Sequence, residues 1–176
     1  SQAYKLMRGY KETPTQAYFE LVIRALLAVG LRGHFGCVSK LSGVNDSSWT
    51  VVPSTRGRTL LTGLVRSLAY TLGEEVPVEY AGVAPDRGLS ASSWRIPPGS
   101  ALPRHVVLVD DAWVTGSSAQ SLAIKLKQSG AEQVSILCVA RILSPEWTPN
   151  TAFLKQTLGS LPYDWAICPW TGGDCP

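Results

Sequence analysis

The sequence predicts an α/β fold, a central parallel sheet of about five strands flanked by helices on both faces. Two observations predict it. Val106, Val107, Leu108 and Val109 form an unbroken apolar run that ends on Asp110 and Asp111. Such a run marks a strand covered on both faces, as parallel strands are. Strand-like and helix-like patterns also alternate along the chain, and strand–helix–strand units close through right-handed crossovers into a parallel sheet. All 176 residues are expected to form a single domain, large enough for a proper core.

Composition narrows the class. Hydrophobic residues make up 45% of the chain and charged residues 16%, the balance of a globular rather than a disordered protein. The formal charge of +3 suits phosphorylated ligands and does not by itself argue for nucleic acid. No apolar run reaches the ~18 residues of a membrane span. No signal-peptide pattern is present, so the expected location is the cytoplasm.

Taken in order, Tyr4, Lys5, Arg8, Tyr10 and Lys11 make the first segment basic and aromatic. On its residues alone it reads as a solvated lead-in. Thr13, Pro14 and Gln16 read as a helix start, with Thr13 as cap, Pro14 in the first helical position and Gln16 closing a capping box. In that helix Tyr18, Val22, Ala25 and Val29 form an apolar stripe for core packing, widened by Leu21 and Leu26, and Gly30 stops it.

Residues 49–53 form a short strand. Ser54, Thr55, Arg56, Gly57 and Arg58 follow, then a helix with Leu60, Leu61, Leu64, Val65, Leu68 and Leu72, stopped by Gly73. Hydroxyls, a glycine and two arginines could bind a diphosphate, arginine adding bidentate pairing. The plainer alternative is a solvated turn whose arginines decorate the surface. Residues 76–80 read as a further strand. Residues 81–104 carry Pro, Gly and Ser throughout with no clear period. So long an irregular stretch inside a compact domain suggests a lid, a binding loop or a mobile surface loop.

Residues 106–118 are the most informative stretch. Asp110 and Asp111 end the strand at the carboxyl edge, where α/β proteins place ligands. Val114, Thr115, Gly116, Ser117 and Ser118 then form a loop with three hydroxyls and one residue that lets the backbone approach closely. Ala119, Leu122, Ala123 and Leu126 continue at helical spacing, so the loop feeds a helix N-terminus. Free N–H groups and the helix dipole favour a phosphate there. Adjacent acids cannot share one strand face. One should face the ligand, and the other should reach it from the strand end or hold a lysine or the backbone. Carboxylates beside a phosphate cradle suit a phosphorylated sugar, because they accept hydrogen bonds from vicinal hydroxyls and recruit magnesium. Gly130 ends the helix, and residues 132–141 give another buried strand.

Residues 106–118 resemble the ribose-phosphate signature of type I phosphoribosyltransferases: four apolar residues, two acids, two more apolar residues, then a Thr/Gly/Ser-rich loop. Ala112 and Trp113 stand where aliphatic residues are usual. The first segment, YKLMRGYK, is similar to a Lys/Tyr/Arg/Gly segment of the ComF-like branch of that family. The resemblance implies the type I phosphoribosyltransferase fold. Its core would cover about residues 46–143, with a small variable hood from residues 1–45 and 144–176. It implies binding of phosphoribosyl diphosphate, or a nucleoside monophosphate, with Mg²⁺. The phosphoribosyl group would pass to a nitrogenous acceptor with release of pyrophosphate.

Carried onto this chain, the resemblance makes Asp110 and Asp111 the catalytic carboxylates. Val114, Thr115, Gly116, Ser117 and Ser118 would hold the 5′-phosphate, and Ser54, Thr55, Arg56 and Gly57 the pyrophosphate. Residues 81–104 would be the flexible catalytic loop, from which Arg87 and Arg95 could reach the diphosphate. Trp147, Trp165 and Trp170 in the tail could stack on a base, although indoles packed on a small core are commoner. Dimers are common in the family, so a homodimer is implied.

Of the four cysteines, Cys138 lies in a predicted buried strand and reads as a small apolar residue. His34 and Cys37, in an H-x-x-C spacing, and the wider-spaced Cys168 and Cys175 belong to the two ends that would build the hood. These four could meet as a His/Cys₃ Zn²⁺ site, although the second spacing is longer than usual. A disulfide and unconnected residues remain open alternatives. A non-catalytic ComF-like regulator or DNA-uptake accessory protein that retains the pocket is the competing function. A nucleic-acid-binding module is least favoured, because the charge is mild and no basic–aromatic stripe is evident.

Overall fold

The computed structural model describes residues 2–12, 14–83, 88–144, 148–154 and 164–176. β4 (His105–Trp113) is the axis of the fold, lying between β1 (Ser47–Val51) and β5 (Gln133–Arg141) and parallel to both. The architecture is α/β, and the parallel sheet has three strands among the described residues. Residues 76–80 do not lengthen it. Glu75 bridges to Trp49, and the Val76 N–H donates to the Trp49 carbonyl at 2.8 Å, so a ladder begins along the outer edge of β1. The ladder stops there: the Val76 carbonyl accepts the Thr50 hydroxyl at 2.7 Å, and Pro77, whose ring fixes φ, follows. The chain leaves that edge, and β2 (Glu79–Tyr80) pairs antiparallel with β3 (Trp94–Arg95) in a separate ribbon. A short 3₁₀ turn, Ala91–Ser93, leads into β3, and the Trp94 side chain is buried.

Side chains of β4 alternate between two cores, as a strand requires. Val107 and Val109 pack with α1 (Gln2–Tyr10), α2 (Ala17–Ala28), α3 (Phe35–Ser42) and α4 (Leu60–Ala69), around Ile23, Leu27, Leu64 and Val65. Val106 and Leu108 pack on the other face against Ala119, Leu122 and Leu126 of α5 (Ser117–Gln128) and against Trp94. Burying each such side chain contributes roughly 1.5–3 kcal/mol. With both faces dry, no polar residue interrupts the run. α6 (Thr148–Phe153) follows β5.

His105 opens β4 and is fully buried. Its Nδ1 lies 2.9 Å from Ser47 Oγ on β1 and its Nε2 3.0 Å from Ser135 Oγ on β5, so one imidazole ties the starts of all three parallel strands. Burial lowers its pKa.

Four expectations for the first part of the chain need correction. The basic segment is not a loose lead-in: it forms α1, with Met7 and Tyr10 buried. A Cβ at Gly9 would stand 2.1 Å from Phe19 Cε2, so only glycine lets α1 and α2 approach this closely. Second, α2 begins at Ala17 and not at Pro14; Gln16 is its N-cap and makes no side-chain cap bond. Thr13 lies outside the described residues. Third, the buried stripe of α2 is Ile23 and Leu27 with Phe19 beside them, while Tyr18 and Leu21 are exposed. Apolar residues nearly encircle this helix, so periodicity alone could not choose the face. Gly30 is no stop either, since it lies in a π-turn, Val29–Gly33, that bends the chain into α3. No single helix among the described residues is long and apolar enough to cross a membrane.

Candidate functional site

β1 stops at Val51, opposite Val109, while β4 runs on through Asp110 and Asp111 to Trp113 beside β5. Residues 52–58 turn away from the step this leaves. A cleft of about 690 Å³ opens there, at the carboxyl edge of the sheet. Asp110 and Asp111 line it, with Ser54, Thr55, Arg56 and Arg58 from the loop after β1 and Ser118 from the first turn of α5. Arg8, Tyr10, Lys11 and Glu12, at and just beyond the end of α1, complete the wall. Four cations thus face three carboxylates, an arrangement suited to a ligand with both phosphate and hydroxyl groups.

Strand alternation decides what each acid does. Asp111 shares the parity of Val107 and Val109, whose face is covered by α1. The Lys11 ammonium meets it there, 2.9 Å from each carboxylate oxygen. Asp110 has the parity of Val106 and Leu108, and its Oδ1 accepts the Asp111 N–H at 2.8 Å. Burial first, and then the charge of Asp111, push the Asp110 carboxyl up to about 6, against the pull of that N–H and of Lys11. Burial, then Asp111, raise the Tyr10 phenol as well. Tyr10 therefore keeps its proton and can donate into the cleft.

The two turns expected to hold phosphate differ in their placement. In the first, Ser54 Oγ accepts the Arg56 N–H at 3.2 Å and the Ser54 carbonyl accepts the Gly57 N–H at 3.3 Å, which folds the loop back on itself. Ser54, Thr55 and Arg56 line the cleft; Gly57 shapes the turn at φ +71°. In the second, Gly116 is the N-cap of α5 at φ +75°. A Cβ on Gly116 would lie 2.2 Å from Trp113 Cζ2, so the indole is stacked on the loop. Thr115 Oγ1 accepts the Ser117 N–H at 3.3 Å and lies 3.1 Å from Ser117 Oγ. Of this loop Ser118 lines the cleft; Val114, Thr115, Gly116 and Ser117 stand at the start of α5 outside its lining.

Arg95 is placed elsewhere: its Nε donates to Glu79 at 3.0 Å across the β2–β3 ribbon. Arg87 and Trp147 lie outside the described residues. Trp165 is exposed and Trp170 packs against the core beside α1–α4, so neither lines the cleft. Sequence reasoning missed Lys11, Arg8, Tyr10 and Glu12 as site residues. Their signal was the basic, aromatic composition of the first segment.

A second group of donors lies outside the cleft lining. His34 precedes α3, Cys37 is on its first turn, and Cys168 and Cys175 come from the tail. Their ligand atoms all lie within 4.8 Å of one another. His34 Nδ1 is 3.7 Å from Cys37 Sγ and 3.5 Å from Cys175 Sγ, and all four cysteines of the chain are free thiols. The cluster could bind a metal such as zinc. No family model matches this chain, and no curated protein matches it.

Proposed function

We propose that the cleft binds phosphoribosyl diphosphate, or a nucleoside monophosphate, and that the chain is a type I phosphoribosyltransferase-like domain of the ComF-like kind. One juxtaposition carries the reading. The acidic pair of β4, the arginine-bearing loop after β1 and the first turn of α5 meet around one cleft at the carboxyl edge of a parallel sheet. The N-terminal helices and the tail would then be the hood.

In this reading the start of α5, with Ser118 and its neighbours Thr115, Gly116 and Ser117, holds the 5′-phosphate. Asp110 and Asp111 accept hydrogen bonds from the ribose hydroxyls. Ser54, Thr55, Arg56, Gly57 and Arg58 hold the diphosphate. A nitrogen lone pair attacks the anomeric carbon, the bond from that carbon to the diphosphate oxygen breaks, and pyrophosphate leaves with the electron pair. The nitrogen then loses its proton to water. Positive charge develops on the sugar in the transition state, and the carboxylates are placed to stabilise it. The cleft offers hard oxygen donors from carboxylates and hydroxyls, and Asp110 and Asp111 would hold a Mg²⁺ ion there. When bound, that ion supplies charge neutralisation to the diphosphate.

One observation favours a second reading, a non-catalytic regulator or DNA-uptake accessory protein that retains the pocket. Lys11 already occupies both oxygens of Asp111. Calorimetric titration of phosphoribosyl diphosphate with magnesium, into wild type and into Asp110→Asn/Asp111→Asn, tests the site. Binding to wild type that is lost in the folded double variant is expected; equal affinity in both would remove the assignment. A screen of bases for pyrophosphate release then separates enzyme from binder.

A further inference from the structure

We propose that His34, Cys37, Cys168 and Cys175 hold one structural zinc ion that staples the tail of the chain to the start of α3. The spacing of the four ligand atoms fits a closed tetrahedral site. With Zn–S of about 2.3 Å and Zn–N of about 2.0–2.1 Å, a tetrahedron has S···N edges of about 3.6 Å and S···S edges of about 3.8 Å. The separations of His34 Nδ1 from Cys37 Sγ and Cys175 Sγ, 3.7 and 3.5 Å, fall on that edge length, and every pair is within 4.8 Å. A disulfide would instead bring two sulfurs to about 2.05 Å, and the thiols here are free.

Both halves of the site are held in advance. His34 and Cys37 are joined by the first turn of α3, where the Cys37 N–H donates to the His34 carbonyl at 3.1 Å. The tail half is a cross-bonded loop: the Cys168 N–H donates to the Gly173 carbonyl and the Gly172 N–H to the Cys168 carbonyl, each at 2.9 Å. His34, Cys37 and Cys168 are buried and only Cys175 is exposed. Four protein ligands leave no open position, so the ion is structural and takes no substrate. Each thiol gives up its proton to solvent as its sulfur binds.

The staple has a clear mechanical role. Pro169, next to Cys168, lines a small cavity with Leu26, Leu27, Leu137 and Val139, and Trp170 packs against the same core. Zinc would hold these residues over α2 and the edge strand β5.

The test uses the full chain purified without chelator, followed by metal analysis and cobalt substitution. Wild type and Cys138→Ser should each retain about one zinc per chain after dialysis. Cys37→Ser and Cys175→Ser should fall to near zero. Cobalt should give the intense visible bands of a tetrahedral thiolate site in the first pair only. Stripping zinc should expose the tail to protease while leaving the sheet folded by circular dichroism. Wild type that neither carries zinc nor develops the cobalt bands would overturn the proposal. So would equal zinc in all four proteins, or two thiols lost to a disulfide with no metal present. Cys175 is exposed, so its substitution tests the site without disturbing the core. Failure here leaves phosphoribosyl diphosphate binding untouched, because no ligand of this site lines the cleft.

Discussion

Lys11 Nζ sits 2.9 Å from both oxygens of Asp111, joining the end of α1 to the middle strand of the sheet. The pair is partly exposed, with side-chain exposures of 32% and 20%, so its worth to stability is small, about 0–1 kcal/mol. Its worth to the cleft is greater. Lys11→Met should leave the melting temperature nearly unchanged and raise the Asp110 carboxyl above about 6, because Lys11 is one of two groups that pull it down. A carbon-13 carboxyl titration reads that shift. Affinity for phosphoribosyl diphosphate should fall with the lost cation; a gain would instead mark Lys11 as an internal occupant of the site and favour the regulator.

Asp110→Asn should stabilise the protein at neutral pH. Its carboxyl stands at about 6 in the folded chain against an ordinary 3.8. Between about pH 4 and 6 the folded state therefore binds more protons than the unfolded one, and stability falls as pH rises through that window. The amide removes this cost. Melting curves at pH 7.5 should show a higher midpoint for the variant, at about 2–4 °C per kcal/mol recovered. A lower midpoint would mean that the Asp111 N–H bond outweighs the cost of the buried charge.

His105 has the opposite slope. Its folded pKa is lowered by burial, so below the ordinary 6.5 the unfolded chain binds the proton more readily. Stability from this residue is present above pH 6.5 and is lost as pH falls through it. His105→Gln should lower stability at pH 7.5 and flatten its dependence below pH 6.5. Denaturant midpoints across that range are the measurement, and an unflattened profile would assign the acid sensitivity to other groups.

Gly116→Ala should cost stability by two routes, a positive φ and a Cβ 2.2 Å from the Trp113 indole. The expected loss is about 1–3 kcal/mol. Adding Trp113→Ala should recover the clash but not the backbone strain, so the double-mutant cycle should show coupling of about 0.5–3 kcal/mol. Additive losses would show that the ring moves aside freely.

How far the sequence reached depended on range. β4, its acids and α5 were legible because strand, carboxylates, loop and helix follow one another without a break from His105 to Gln128. The β1–loop–α4 unit was legible for the same reason. Lys11 was not, since the contact spans 100 positions and rests on how α1 crosses α2 at Gly9 and Phe19. The buried face of α2 was hidden by a surplus of apolar residues, only some of which the fold could cover. Pro77 stood in plain view within residues 76–80, yet apolar neighbours outweighed it in the strand reading. The His/Cys group was open to suspicion only as a meeting of chain ends, because its second spacing is set by the internal bonds of the tail loop.

The step between β1 and β4 has a consequence for any survey of this cleft by substitution. In a parallel ladder successive residues turn their main-chain groups alternately to the two neighbouring strands. The Val109 carbonyl accepts the Val52 N–H on the β1 side. Asp111, two residues on, therefore turns its carbonyl to that same side, past the point where β1 has ended. Part of the chemistry offered there is peptide backbone, which no point mutation can delete. Side-chain variants will measure the carboxylates and arginines and leave that backbone acceptor in place. Replacing the Asp111–Ala112 amide with an ester, by chemical synthesis or nonsense suppression, would weaken that carbonyl as an acceptor and reach the remainder.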